Sequence, residues 1–377
     1  MTPNQAASMT FYEREAILLA PFAMRSADSA GREHPEPLHP YRSPYQRDRD
    51  RIVHSSAYRR LAHKTQVFTG EKGDYHRTRL THTLEVASIA RTIGRVLRLN
   101  EDLIEALALM HDIGHPPFGH AGEDVLNECT AECGGFNHNQ QAVRIVTLLE
   151  DRYPEFSGLN LTREVLSGQG SRFKSDSTDT IEQSLLEVQV VDAADSIAYD
   201  AHDADDALEL GLLDLDQLLA IPLWHDAASR VQREYTALNA KQLRRGVIRQ
   251  LLDTLVTDLV DSTTSRLAAA PIESPAAVIA YGERLVVPSS TVFEQKTQLE
   301  RFLFDHVYRH PTVLAERSLA GEALRGMFER YSRHPEELPQ PSRERLRQTG
   351  IPRVVCDYLA GMTDRFALEE AGFKDGE

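Results

Sequence analysis

Residues 101–120 read EDLIEALALMHDIGHPPFGH, and this stretch decides the fold. Asn100, followed by Glu101 and Asp102, is a helix N-cap with acids in the first turn, where the helix dipole favours them. Leu103, Ala106, Leu107 and Met110 face inward, and the helix is apolar nearly all round, so it belongs at the buried centre of a bundle. Gly114 and Pro116-Pro117 stop it. At its end stands His111-Asp112. Burying an ionisable pair there is costly unless something compensates it, and a divalent cation is the usual partner. An isolated His-Asp doublet carries little weight, so the flanking helices must be read for further ligands.

Helical spacing continues on both sides. Leu80, Leu84, Ala87 and Leu97 mark an amphipathic helix to about Arg98. Further helices are predicted over residues 121–128, 139–149 and 181–210, and the Gly-Ser-Asp-Thr segment 168–180 reads as a loop. Prolines at 222, 271, 275 and 288 punctuate a second helical half. Strand signals are confined to 66–68 and 283–288. The expected fold class is all-α: a helical bundle with additional C-terminal helices and few or no strands. Its expected organisation is an N-terminal arm at 1–41, a metal-bearing catalytic core at 42–210, and a helical part at 211–377. The last should pack on the core and complete its pocket as one compact unit.

The 377 residues carry a net charge of −15, which argues against a general nucleic-acid coat but not against a local basic site. The charge is unevenly placed. Residues 42–82 hold ten Lys/Arg against four acids, whereas 192–216 hold nine acids and no Lys or Arg. Such runs are usually solvated faces. Eight of the fifteen histidines fall between His54 and His138, and clustering of that kind marks a site rather than a scattered surface. Cys129, Cys133 and Cys356 cannot form a disulfide framework, which points to a reducing, cytoplasmic compartment, and Cys129 and Cys133 read as buried thiols. No apolar run reaches membrane-spanning length, and the N-terminus lacks the basic start of a signal peptide.

Two residues suit the rest of a metal shell: His82 in RLTHTLEV and Asp195 in VQVVDAADSIAYDAHDADD. Imidazole with carboxylate accepts Mn, Fe, Co, Ni or Zn, and Mg where positions stay open, with manganese the first expectation. Arg79, three residues before His82, points to the same side of a helix and suits bidentate phosphate contact. Arg59, Arg60 and Lys64 suit either phosphate or a subunit contact. His120 and Glu123 share a helix face, as an imidazole and the carboxylate that orients it should. Asp195, Tyr199 and Asp203 form one stripe at i, i+4, i+8. The other acids of that helix, Asp192, Asp200, Asp205 and Asp206, read as mostly solvated.

His82, His111-Asp112 and Asp195 together look like the signature of HD-domain phosphohydrolases. The segments SSAYRRLAHKTQVF, RTRLTHTLEVA, MHDIGHPPFGHAGE, FNHNQQAVRIV, EVQVVDAADSIAYDAHDADDAL and RFLFDHVYRHPTV narrow this. From about residue 42 to 311 the chain resembles the bacterial dGTPase-like branch of the deoxynucleoside triphosphate triphosphohydrolases. The resemblance implies an HD-domain bundle, one divalent metal per site, and cleavage of a dNTP to deoxynucleoside and inorganic triphosphate. It implies that His115, His120, Glu123 and His138 line the active site, with His120 handling the proton and His115 and His138 meeting phosphates. Gln66, Tyr199, Asp203 and Tyr308 are implied at the base and deoxyribose. It further implies homo-oligomers, hexamers or tetramers, with a possible activating nucleotide between subunits. Another HD-domain nucleotide hydrolase, or a nucleotide-binding regulator, is the competing reading.

Overall fold

The computed structural model describes residues 9–66, 77–172 and 183–373. Among these the regular structure is all helical, and the only β-type pairings are isolated bridges, such as Thr65 with Thr78. The all-α expectation is met. We label the helices that position the site α1 (Pro44–Val53), α2 (Arg79–Val96), α3 (Glu101–Met110), α4 (Gly119–Cys129), α5 (His138–Arg144), α6 (Arg163–Ser171) and α7 (Leu186–Glu209). In the second half follow α8 (Pro222–Glu234), α9 (Ala240–Ala269), α10 (Ser290–Leu303), α11 (Pro311–Arg333), α12 (Ile351–Ala360) and α13 (Asp364–Glu370).

α3 is the hub. Asn100 caps it by accepting the Leu103 N–H, and Leu103, Ile104, Ala106, Leu107, Ala108, Leu109 and Met110 are all buried. It packs against α1, α2, α6 and α7, which explains why its apolar surface wraps the whole helix. Burial of each large apolar side chain contributes about 1.5–3 kcal/mol relative to exposure. α2 starts on a capping box in which Thr78 accepts from Thr81 N–H. The main core runs from Ala23 to Val313 and includes the fully buried Trp224. A second core joins α4 to α11, α12 and α13 through Leu126, Leu324, Met327, Val355 and Leu359.

Several sequence-based expectations are corrected. Helix α6 continues through Gly168 to Ser171, where a loop was expected; the rest of that segment, 173–180, lies outside the described residues. A Cβ on Gly168 would stand 2.6 Å from a Leu107 methyl and 2.8 Å from one of Val188, so this glycine serves helix packing rather than a turn. α7 begins at Leu186, not Ile181, which lies outside the described residues. The α5 spiral widens into a π-helical turn at Ile145–Leu149. Residues 283–288 form no strand, although Leu285 and Val286 are buried; of the other hint, Val67 and Phe68 lie outside the described residues. Cys356 is buried, but Cys129 is half-buried and Cys133 exposed.

The two charge runs are not solvated faces either. Arg42 and Arg49 pair with Asp50, Arg47 and Arg51 with Glu36, and Arg77 with Glu85 and Asp206. On α7, Asp205 pairs with Arg244 and the buried Asp200 with Lys296 at 2.9 Å. The basic run thus finds its acids largely close by in sequence, whereas the acids of α7 are neutralised from α9 and α10.

Candidate metal centre and active site

Three helices converge on one point. His82 from α2, and His111 and Asp112 from the end of α3, are each no more than 4% exposed, with ligand atoms all within 4.8 Å of one another. Asp195 from α7 approaches from the open side, its Oδ1 3.0 Å from His82 Nε2 and 3.6 Å from His111 Nε2. His111 Nδ1 lies 2.6 Å from the Ala108 carbonyl oxygen and must donate to it, which leaves Nε2 as the bare lone pair. That buried Nε2 has no hydrogen-bond partner. An orphaned imidazole nitrogen facing two carboxylates fits a divalent cation.

The charges support the same reading. Burial lowers the His111 pKa, which favours the unprotonated Nε2 that a ligand must offer. Burial opposes ionisation of Asp112, but the imidazoles of His115 and His111 and the Arg79 guanidinium outweigh it and hold the carboxyl well below its ordinary value. Asp195 is likewise lowered despite burial, through His111 and the bond to His82. Arg79, only 1% exposed, donates from Nη1 to Asp112 Oδ2 at 3.0 Å and from Nη2 to the Gln66 carbonyl at 3.2 Å. It therefore holds Asp112 in place at the wall of the cavity.

That cavity encloses about 980 Å³ and is lined by His111, Asp112 and Asp195, with Gln66, Arg79, His115, His120, His138, Tyr199 and Tyr308. The Pro116–Gly119 turn is tight: Phe118 sits at φ 64° and Gly119 at φ 58°. A Cβ on Gly119 would lie 2.9 Å from Arg79 Nη2, so only glycine lets the turn close over that guanidinium. The turn sets three imidazoles together. His115 and His138 stack with centroids 3.9 Å apart, and His120 stands edge-on 5.7 Å from His115. His120 is the open member, its side chain 66% exposed. Glu123 is shared: its oxygens are 2.9 Å from His138 Nδ1 and 3.4 Å from His120 Nδ1. Burial would raise the Glu123 pKa, but these two imidazoles drive it far down, so it is a carboxylate.

On the opposite wall Tyr199 and Tyr308 stack, centroids 5.9 Å apart and planes 19° off parallel. Asp203 does not line the cavity. It is 1% exposed and accepts the Tyr308 hydroxyl from behind. The predicted stripe of Asp195, Tyr199 and Asp203 is present, but its last member supports a ring instead of facing the open space.

Residues 79–200 match the HD domain family, and residues 286–372 match the phosphohydrolase-associated domain. Deoxyguanosinetriphosphate triphosphohydrolase-like proteins of Geobacter sulfurreducens and Deinococcus deserti are each 45% identical over 360 residues. The alignments cover 93% of this chain and 94% of the Geobacter protein, and 94% and 93% for Deinococcus. A similarly named protein of Cereibacter sphaeroides is 42% identical over 372 residues, covering 94% of this chain and 98% of its own. The chain belongs to this dGTPase-like family.

In this dGTPase-like chain the HD match holds all four candidate ligands, while the associated-domain match holds Tyr308 and Asp364. Some site residues escaped the sequence reading. Phe118, Asp124, Asn139, Arg172, Arg284 and Arg317 also line the cavity. Lys64 proves to be neither surface nor phosphate ligand: it is 3% exposed and donates to the carbonyls of His115 at 2.6 Å and Ala360 at 2.8 Å. Burial pushes its pKa down to about 7. Arg59 and Arg60 are exposed and stand outside this cavity. Among the described residues no helix is long and apolar enough to cross a membrane.

Proposed function

We propose that this chain hydrolyses deoxynucleoside triphosphates to deoxynucleoside and inorganic triphosphate, with one divalent cation, manganese first among candidates, held by His82, His111, Asp112 and Asp195. The observation that carries this is the convergence of those four residues, three of them lining a cavity whose other walls bear an open imidazole and a stacked tyrosine pair. A divalent ion held there would supply Lewis-acid polarisation of a phosphoryl group.

The chain's own residues do the rest. As water adds to the α-phosphorus and the P–O5′ bond breaks, His120, doubly protonated with Nδ1 turned to Glu123, would deliver its Nε2 proton to the departing 5′-oxygen. Glu123 orients that ring and, through His138, fixes the neighbouring one. The stacked pair of His115 and His138 offers edges to phosphate oxygens. Arg79 orients Asp112 and keeps an unpartnered Nε beside it. Tyr308, anchored by Asp203, packs its face against the deoxyribose, where a 2′-hydroxyl would not fit; Tyr199 backs it. Gln66 borders the sugar and base end.

Incubation with each dNTP, singly and mixed, in the presence of manganese tests this. Release of inorganic triphosphate and deoxynucleoside is the expected result. Pyrophosphate or orthophosphate as the first product would overturn it in favour of another HD-domain hydrolysis, and tight dNTP binding without turnover would favour a regulator. The family relatives, the intact four-residue group and the His120–Glu123 pair support the first outcome.

A further inference from the structure

We propose that Arg172 and Arg284, bridged by Asp192, form an anion subsite that takes the distal phosphates of the nucleotide. The inference rests on the triphosphate reading above, and it answers where the cavity finds positive charge for a polyanion. The basic run 42–82 does not provide it, because its arginines at 42, 47, 49, 51 and 77 are paired with acids away from the cavity, and Arg79 is committed to Asp112.

Arg172 and Arg284 are differently placed. Both line the cavity, and both reach the same carboxylate: Arg172 Nη2 lies 2.8 Å from Asp192 Oδ1, while Arg284 pairs with Oδ2. Two guanidiniums share one acid, so the group keeps a net positive charge. Asp192 stands three residues before Asp195 on α7 and therefore on the same face, about one helical turn of 5.4 Å from the candidate metal group. A phosphate chain whose first phosphate meets the metal group would run toward these arginines, whose planar forks match phosphate oxygens.

The plainer alternative is that Asp192 and Arg284 merely pin the loop 281–289 to α7. That loop is already pinned. Gln189 Oε1 accepts the N–H groups of Leu285 at 2.9 Å and Val286 at 3.1 Å, both buried. The Arg284 side chain is half exposed and is not needed to hold its own backbone. A guanidinium beyond a secured loop, turned to a cavity, is free to change partner when an anion arrives.

The test measures binding of inorganic tripolyphosphate, supplied as its manganese complex with manganese in excess, and of a deoxynucleoside monophosphate. Parent, Arg172→Ala, Arg284→Ala and the double variant are compared. Each single variant should bind tripolyphosphate about tenfold more weakly, the double variant more weakly still, with monophosphate affinity changed less than about twofold. Arg172→Lys and Arg284→Lys keep the charge but lose the fork, and should fall between parent and Ala; they also report if the Ala variants fail to fold. Unchanged tripolyphosphate affinity, or equal loss for both ligands, would overturn the subsite. If the parent releases a product other than triphosphate while the variants still lose tripolyphosphate selectively, the hydrolysis reading fails and the subsite stands.

Discussion

The Asp364 carboxylate, on the C-terminal helix α13, accepts the backbone N–H of Phe118 at 3.0 Å; its other oxygen accepts that of Thr65 at 2.7 Å. One side chain thus ties together the two backbone segments that carry Gln66 on one side and His115–His120 on the other. Phe118 holds a left-handed φ of 64°, which a non-glycine residue keeps only when its surroundings impose it. Asp364→Ala should lower thermal stability by about 1–3 kcal/mol and lower kcat while leaving bound metal intact. Asp364→Asn, with one acceptor oxygen left, should be intermediate. Unfolding curves read with kcat and metal content check this; a loss of stability at full kcat would make the contact purely structural.

Removing the central doublet should remove the ion. His111→Ala combined with Asp112→Ala is expected to abolish stoichiometric metal, by elemental analysis, and turnover with it. Metal retained by the folded double variant would overturn the ligand set.

Tyr308 sets the sugar preference in our reading. Tyr308→Ala opens space beside the stacked Tyr199 ring and should raise kcat/KM for a ribonucleotide relative to its deoxy counterpart by about tenfold, a change of roughly 1.4 kcal/mol in discrimination. Competing both nucleotides against the variant measures the ratio directly, and an unchanged ratio would move selectivity elsewhere.

Asp203 ties stability to pH. Burial raises its pKa to about 7, against the bond from Tyr308, while the unfolded chain titrates near the usual value of about 3.9. The folded form therefore binds the proton more tightly, so this contribution is full below pH ~4 and is lost as pH rises through ~7. Asp203→Asn, neutral throughout and still able to accept from Tyr308, should flatten the fall in Tm between pH 5 and 8 and be relatively more stable than the parent at pH 8. A parallel pair of Tm profiles would contradict the assignment.

Much of the molecule was legible locally. Asn100, the all-round apolar α3 and the Gly114–Pro117 stop are nearest-neighbour signals, and the predicted N-cap is where it was expected. His82, His111, Asp112 and Asp195 were readable because each punctuates an apolar helix where an uncompensated polar group is costly. The acidic run misled because sequence shows what is near along the chain, while Coulomb pairing depends on what is near in space. Asp192 therefore looked solvated until Arg172 and Arg284 were brought to it from either side, 20 residues before it and 92 after. Glu123 looked like the partner of His120, three residues back, until packing placed His138 closer to it.

What the sequence by itself determined is the helical class, the order of the central helices and the residue types gathered for a metal, because periodicity and capping act within a few residues. Tertiary structure alone decided which acids meet which arginines, that Asp203 supports Tyr308 from behind, and that Asp364 reaches Phe118 across 246 residues. Those contacts join segments whose approach is set by burial of apolar faces over the whole fold, and no local pattern encodes them.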